Sequence, residues 1–210
     1  MMGLLLKDFY TLRQYGKALL FMLVFFAIIS FGMDNPAMFF EGFFVMMSMM
    51  MTITSFSYDA LAKWDRYALS LPLTKKDIVT GKYLLAIILC LSGTVISFLL
   101  TFLILKINPV SGFGVSEHLL ATAVIFAIAL FFASVLIPLV FKFGVEKGRF
   151  FLIAIFAMPT AALLVIDQLG LTKPSDVVLL NFAKLTPLLA ILLFLLSYLL
   201  SVKIFSSKEI

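Results

Sequence analysis

The residues that could do chemistry in this 210-residue chain are few, and they lie mostly at the ends of apolar segments. The one histidine, His118, begins an apolar run directly after Glu117, and Glu41 lies near the start of another. We expect these side chains to lie at the membrane surface, within reach of water. A lone histidine cannot supply the three or four protein ligands of a zinc site. An interfacial residue without a catalytic role is the stronger interpretation of His118.

Three sequence motifs of catalysis are absent. The chain contains no H-E-x-x-H of a metalloprotease and no G-x-S-x-G of a serine hydrolase. Gly81 and Lys82 form a G-K pair, but no glycine stands five residues before Gly81 and no serine or threonine follows Lys82. The phosphate-binding loop G-x-x-x-x-G-K-[ST] is therefore not formed. We expect no catalytic residue and no cofactor in this chain, so any ATP that drives it must bind another protein.

The longest interruption of the apolar sequence is the segment 58–82, which carries five basic and three acidic side chains. Within it, Leu61, Trp64, Ala68 and Leu71 recur at helical spacing and would share one face of a short amphipathic helix. A helix of this kind, lying flat between two membrane spans, could dock onto another protein. An ordinary charged loop anchored at the lipid interface explains the composition equally well.

Two local signals divide this segment. Pro72 lacks the amide hydrogen that a helix needs and restricts the residue before it, so the first helix should end near Leu71. Thr74 and Asp77 then have the spacing of a capping box, in which each side chain accepts a hydrogen bond from the backbone amide of the other. We therefore predict that a second helix begins there and continues into the next apolar run.

The elements that must position these residues are membrane spans. The chain is 63% hydrophobic and only 13% charged, and its mean hydropathy of +1.18 is far outside the range of soluble domains. A helix needs about 20 residues to cross the apolar core of a bilayer. We predict an all-α membrane protein whose single transmembrane domain covers residues 1–210, with six spans at 18–33, 37–57, 83–105, 118–141, 150–166 and 185–204.

The segment 1–17 precedes the first span and contains apolar residues at helical spacing. Leu5, Phe9 and Leu12 would share one face, with Lys7 on the other. This pattern predicts an amphipathic helix that lies in the membrane interface.

The basic residues indicate the orientation of the chain. With both termini in the cytoplasm, thirteen of the sixteen basic residues fall inside and three outside. This asymmetry follows the positive-inside rule. It predicts a cytoplasmic segment 58–82 and an extracellular segment 167–184, the latter containing a short interfacial helix at 177–180. The net charge of +5 is thus explained by membrane topology and does not indicate a nucleic-acid partner.

The second span is rich in methionine, with Met46, Met47, Met50 and Met51 close together. Flexible, polarisable thioethers can repack around varied apolar partners. We predict that this cluster lines a translocation path for hydrophobic or amphipathic substrates, and that Glu41 contributes a gate or a substrate contact at its outer end. Ordinary packing or lipid contact is the simpler interpretation of any single methionine, and solvation at the interface is that of Glu41.

The third span contains small and hydroxylated residues that let helices approach closely: Ser92, Gly93, Thr94, Ser97 and Thr101. Close helix packing is the expected role of this group. Pro138 and Pro159 are expected to bend the fourth and fifth spans, because proline removes a backbone hydrogen bond.

The sequence ALSLPLTKKDIVTGKY, residues 68–83, resembles a motif of the bacterial type-2 ATP-binding-cassette (ABC) exporter permeases. The family pattern is roughly L-x-x-L-P-[VL]-[ST]-[RK]-x-x-[IV]-[VL]-x-[GAS]-K. The chain is similar to the small six-span permeases that include exporters of amphipathic peptide toxins such as phenol-soluble modulins. The positions that match the pattern are Leu71, Pro72, Leu73, Thr74, Lys75, Ile78, Val79, Gly81 and Lys82.

The resemblance implies a half-transporter in the bacterial cytoplasmic membrane. Two permease chains, identical or different, would pair, and each would engage a separate ABC ATPase subunit that binds ATP and Mg²⁺. The segment after the second span would be the coupling helix. Its candidate ATPase contacts are Asp59, Lys63, Trp64, Asp65, Arg66, Leu71, Pro72, Lys75 and Lys76.

Two other function classes remain open. An ATP-independent, ion-coupled carrier or channel is expected to carry ionisable residues at mid-membrane, and the predicted spans show none there. A purely structural membrane subunit is compatible with the same composition.

Overall fold

The structure is a computed structural model that describes residues 2–30, 36–68, 70–107, 114–148, 150, 151, 153, 154, 157 and 176–208. Every regular element in these residues is a helix, which confirms the all-α prediction for this part of the chain. The described residues between 145 and 157 are helical as well. The helices with described bounds are α1 (Met2–Arg13), α2 (Gly16–Ser30), α3 (Pro36–Leu61), α4 (Trp64–Ala68), α5 (Lys75–Ile107), α6 (Val115–Phe143) and α7 (Asp176–Ser206).

Four of these helices, α3, α5, α6 and α7, are long and apolar enough to cross a membrane. The helices α1 and α2 meet at a bend of 61° and pass the same test only as a pair, which would make a fifth, broken span. The described residues thus hold four or five candidate spans, and the prediction of six is not confirmed. Most of the predicted span 150–166 lies outside the described residues.

The four long helices share one apolar core. The most extensive packing is that of α3 on α5 and of α6 on α7, and α3 also contacts α6. Phe56 of α3 meets Phe141 of α6 edge to face, with ring centroids 5.1 Å apart. Helices in a bilayer gain little from the hydrophobic effect, so van der Waals packing of this kind must stabilise the bundle. Large apolar side chains face outward on α2, α5 and α7, as a lipid-facing surface requires.

Helices α3 and α5 approach each other closely at Gly93. A Cβ atom added there would lie 2.4 Å from Ser48 Oγ and 2.6 Å from Ser48 Cβ. The prediction that small residues of the third span allow close packing is confirmed at this position.

The buried face of α1 differs from the predicted one. Leu4, Asp8 and Leu12 are buried, whereas Phe9 is exposed. The spacing of Leu4, Asp8 and Leu12 places them on one side of the helix, against α3 and α5. The sequence pattern was misleading because Asp8 is held inside by residues far along the chain, which an apolar pattern cannot show.

The segment before the last span also differs from its prediction. Residues 176–184 belong to α7, which continues without a break to Ser206. The expected short helix at 177–180 is therefore the first part of a long helix, and Pro187 is accommodated inside it. The rest of the predicted extracellular segment, residues 167–175, lies outside the described residues.

Candidate functional site

The turn before α5 has the predicted capping geometry. The backbone amide of Thr74 donates to Asp77 Oδ2 at 2.9 Å, and the amide of Asp77 donates to Thr74 Oγ1 at 3.2 Å. The helix α5 begins at Lys75, directly after Thr74. The capping box is confirmed because its two members need only each other and the intervening backbone.

The connection between α3 and α5 holds a shorter helix than predicted. Helix α3 extends to Leu61, and Lys63 then adopts a left-handed conformation with φ of 49°, which ends the helical path. The five-residue α4 follows and ends at Ala68, three residues before the predicted end at Leu71. Leu61, expected on the inward face, is 81% exposed, because the break at Lys63 separates it from α4.

Four charged side chains from three helices form what we call the charge cluster: Lys7 and Asp8 of α1, Asp59 of α3 and Lys82 of α5. Lys82 Nζ lies 3.1 Å from Asp8 Oδ1 and 2.5 Å from Asp59 Oδ2, and Lys7 is paired with the same two carboxylates. Ser55 donates to Asp8 Oδ1 at 2.9 Å and accepts from Lys82 at 2.6 Å. Two positive charges are therefore balanced by two negative ones.

The charge cluster is a structural joint. Asp8 and Lys82 are almost completely buried, and ions taken out of water are tolerated only when their partners replace the lost hydration. Here each carboxylate meets both ammonium groups, so that condition is satisfied. Removal of one member would leave an uncompensated buried charge. The cluster therefore fixes α1, α3 and α5 to one another.

The charge cluster continues into α4 through Lys7. The Nζ atom of Lys7 lies 4.4 Å from the centroid of the Trp64 ring, a cation–π contact. The Trp64 ring also contacts that of Tyr67 at 5.3 Å. A movement of α4 would thus displace Lys7, and through Lys7 it would displace the carboxylates of Asp8 and Asp59.

A second connection joins the start of α5 to the end of α7. Lys75 Nζ donates to the carbonyl oxygens of Ser206 at 3.1 Å and Lys208 at 2.6 Å. The last carbonyls of a helix lack intrahelical donors and carry partial negative charge, so a lysine there is favourable. Tyr83 adds a buried contact between the same helices, because its hydroxyl forms hydrogen bonds with the hydroxyls of Ser197 and Ser201.

The predicted ATPase contacts are not equally accessible. Asp59 faces the charge cluster, and only about an eighth of its side chain is exposed. The side chains of Asp65 and Arg66 lie outside the described part of the structure. Of the others, Lys63, Pro72 and Lys76 are exposed, and Trp64, Leu71 and Lys75 are half-buried.

The four methionines of the predicted translocation path lie along the middle of α3. Met46 and Met50 pack against the apolar core, and Met47 and Met51 are half-buried. A cavity of about 10 Å³ between α3 and α6 is lined by Met49, a neighbour of the predicted cluster. The methionines are therefore packed within the bundle rather than fully exposed to lipid.

The expectation that water reaches Glu41 and His118 is wrong. Glu41 is 0% exposed and His118 is 2% exposed. Glu41 Oε2 lies 3.3 Å from His118 Nε2, so the pair joins the second turn of α3 to the first turn of α6. Sequence position alone suggested helix ends in water, but packing of α3, α5 and α6 covers both side chains.

The sequence analysis missed Asp8, Ser55 and Lys82 as members of a site. A signal for Asp8 existed, because it lies between Leu4 and Leu12 at intervals of four residues. A signal for Lys82 existed also, since it is followed by the long apolar run of α5. Nothing in the spacing could indicate that these two residues, 74 positions apart, are partners.

No group of three or more potential metal ligands is found among the described residues. A cavity of about 150 Å³ lies beside the charge cluster, with Asp59 and Lys82 in its wall together with apolar side chains of α3, α5 and α6. The chemistry of this region is thus ionic and structural.

The chain was compared with protein families, curated proteins and solved structures. Residues 3–206 match the model of a family described as ABC-2 family transporter protein. No curated protein and no solved structure matches the chain. Since the family model covers nearly the whole sequence, and the described helices are those of a membrane protein, the chain belongs to the ABC-2 transporter family and is a membrane permease component of an ABC transporter.

Proposed function

We propose that this chain is the permease half of a bacterial ATP-driven exporter of hydrophobic or amphipathic molecules, with amphipathic peptides as the substrate class. In this proposal both termini and α4 lie in the cytoplasm, and a second permease chain completes the translocation path. A separate ATPase subunit, which binds ATP and Mg²⁺, contacts α4 and the turn that follows it.

The observation that carries this proposal is the position of α4. It is a short helix at the surface, next to exposed Lys63, and its Trp64 is joined by Lys7 to the charge cluster. A partner that displaces α4 would therefore move α1, α3 and α5 together. The connection of Lys75 to the end of α7 would carry the same movement to the last span.

The substrate class rests on the walls of the bundle. Four of the predicted path residues of α3 are methionines, which can adapt to apolar partners of different shape. The family assignment supplies the transport function. The peptide class comes from the resemblance that the sequence of residues 68–83 has to permeases of peptide-toxin exporters.

The proposal is tested with the complete chain, purified with an ABC ATPase subunit of the same organism and placed in liposomes. We expect the two proteins to copurify. We expect ATP to drive the transport of a fluorescent amphipathic helical peptide. The double variant Lys63→Glu/Arg66→Glu should lose the ATPase and, with it, transport.

Lys184→Glu is the matched control, because Lys184 is an exposed lysine toward the other end of α7. It should copurify and transport as the parent does. If Lys63→Glu/Arg66→Glu assembles and transports normally, α4 is not the docking surface. If the parent pair transports no peptide, the substrate class is wrong.

The alternative of an ion-coupled carrier or channel is favoured by one observation, the buried pair of Glu41 and His118. Ionisable groups inside a membrane protein often mark ion pathways. Proton or cation flux through the chain in liposomes without any ATPase would support this alternative.

A further inference from the structure

A groove lies in the elbow where α1 and α2 meet at a bend of 61°. Its volume is about 400 Å³, within the range of about 300 to 1,000 Å³ that is usual for small-molecule sites. Apolar side chains form most of its walls: Phe9 and Leu12 of α1, Leu19 of α2 and Leu89 of α5. Three helices therefore share one apolar groove.

The groove combines a surface residue with a deeper one. Leu89 follows Lys82 of the charge cluster by two turns of α5, which places it about 10 Å further along the helix at 1.5 Å per residue. Tyr10 also belongs to the wall, and 69% of its surface is exposed. Exposed tyrosines are typical of the boundary between membrane and water. The groove therefore extends from the level of the lipid headgroups toward that of the acyl chains.

Two basic side chains stand at the elbow. Arg13, the last residue of α1, lines the groove and is exposed, and Lys17 is exposed in the first turn of α2. Among the described residues, no carboxylate forms an ion pair with either of them. The acidic side chain of α1, Asp8, is paired with Lys7 and Lys82. An uncompensated positive charge therefore remains beside the groove.

An anionic phospholipid has the chemistry that fits these surroundings. Acyl chains fill an apolar groove in a bilayer, since the hydrocarbon region holds no water. Arginine can lay its aliphatic stem along apolar surface while its guanidinium reaches the headgroups, where it binds a phosphate through two parallel hydrogen bonds. Basic pockets between membrane helices accordingly select anionic headgroups. A zwitterionic lipid fits less well, because it carries a cation of its own beside the phosphate.

We propose that the elbow binds one anionic phospholipid from the bilayer, with its phosphate at Arg13 and Lys17 and an acyl chain between α1, α2 and α5. The described part of α2 packs mainly on α3, so the acyl chain fills the space between α2 and α5. The lipid thereby connects α2 to the two helices that carry Asp8 and Lys82 of the charge cluster. This site requires that the chain lies in a membrane, and it does not rest on an ATPase or on peptide export.

The test measures lipid binding to the complete purified chain in detergent by native mass spectrometry. Phosphatidylglycerol and phosphatidylcholine with identical acyl chains are titrated separately. Each basic residue near an anionic headgroup contributes about fivefold in affinity, so phosphatidylglycerol should bind about thirtyfold more tightly than phosphatidylcholine. Arg13→Gln/Lys17→Gln should remove that advantage and leave the binding of phosphatidylcholine unchanged. Lys142→Gln/Lys147→Gln is the matched control, because it removes the same charge from two exposed lysines near the end of α6, and it should bind as the parent does.

Filling the groove distinguishes a bound lipid from a general attraction to positive charge. Leu19→Trp and Leu89→Trp add bulk from two different walls and keep both basic residues, and each should remove the one-to-one complex with phosphatidylglycerol. Leu91→Trp is the matched control, since Leu91 is exposed on α5 and is not part of the wall. Gel filtration checks that each variant is folded. Because the two positions belong to different helices, a folding defect in one variant leaves the other as the test.

Three results would overturn the proposal. The first is equal binding of the two lipids, or unchanged binding of phosphatidylglycerol by Arg13→Gln/Lys17→Gln. The second is loss of phosphatidylglycerol in that variant but full binding in Leu19→Trp and Leu89→Trp, which would mean attraction to the surface alone. The third is displacement of phosphatidylglycerol by the amphipathic peptide of the transport assay, which would assign the groove to the substrate. Neither ATP hydrolysis nor transport is measured, so a failure of the proposed function would leave this result unchanged.

Discussion

Two buried ionic sites lie at opposite ends of α3, and their surroundings differ. The charge cluster at the α4 end has four charged side chains, and Ser55 bridges Asp8 and Lys82. The pair at the other end has one carboxylate, one imidazole and a stacked aromatic ring. Both sites remove charged side chains from water, and the charge cluster has four ion-pair contacts where Glu41 and His118 have one with each other.

The difference indicates which end is held by the larger number of ionic contacts. A fully satisfied network resists separation, because every displacement breaks several charge-assisted hydrogen bonds at once. Separation of Glu41 from His118 breaks a single ion pair. We therefore expect α1, α3 and α5 to move as one unit at the α4 end.

The largest expected effect is that of Lys82→Met, which leaves two carboxylates with one lysine. We expect a loss of about 3 to 5 kcal/mol in the free energy of unfolding, as for other broken buried pairs. Thermal or SDS unfolding of the purified chain measures it. The double variant Asp8→Leu/Lys82→Met keeps Lys7 and Asp59 balanced and should lose less than Lys82→Met alone. An unchanged unfolding midpoint in Lys82→Met would show that the charge cluster is not a joint.

The next effect concerns the close contact between Gly93 of α5 and Ser48 of α3, which lies between the two ionic sites. Gly93→Ala would place a methyl group against Ser48, so the helices must move apart. We expect a loss of about 1 to 3 kcal/mol in the same unfolding measurement. Gly42→Ala is the matched control, because no atom lies within 4 Å of its added Cβ. It should be neutral or stabilising by about 0.5 to 1 kcal/mol. Equal effects of the two variants would contradict the close approach.

A smaller effect is expected for Glu41→Gln. This change replaces one charge-assisted contact with His118 by a neutral one and keeps the shape of the side chain, so the free energy of unfolding should fall by no more than about 1 kcal/mol. Asp8→Asn is the equivalent change in the charge cluster and should cost clearly more. If Glu41→Gln destabilises the chain as much as Asp8→Asn, the two sites do not differ in the way that we infer.

The smallest effect belongs to the exposed connection between α5 and α7. Lys75→Ala removes the donor to the last carbonyls of α7, and a lysine at such a position contributes about 0.3 to 1 kcal/mol. Lys76→Ala is the control, since Lys76 is exposed. Hydrogen exchange of the last turn of α7 should rise in Lys75→Ala and stay unchanged in Lys76→Ala. A rise in both would indicate a general effect of charge.

Much of the fold could be predicted because it depends on local or compositional properties. The membrane class follows from hydropathy, and the capping box of Thr74 and Asp77 follows from residues three positions apart. The close approach at Gly93 follows from the absence of a side chain. The inward face of α1 could not be predicted in the same way, because the partners of Asp8 belong to α3 and α5.

The amino-acid sequence by itself determined that this chain is an apolar, helical membrane protein with one charged connection between two long helices, because composition and short spacings carry that information. Only the tertiary structure decided that Lys82 and Asp59 face inward and that Glu41 and His118 are buried together. The physical reason is that the free energy of a buried ion depends on what surrounds it in space. Those surroundings come from segments dozens of residues apart.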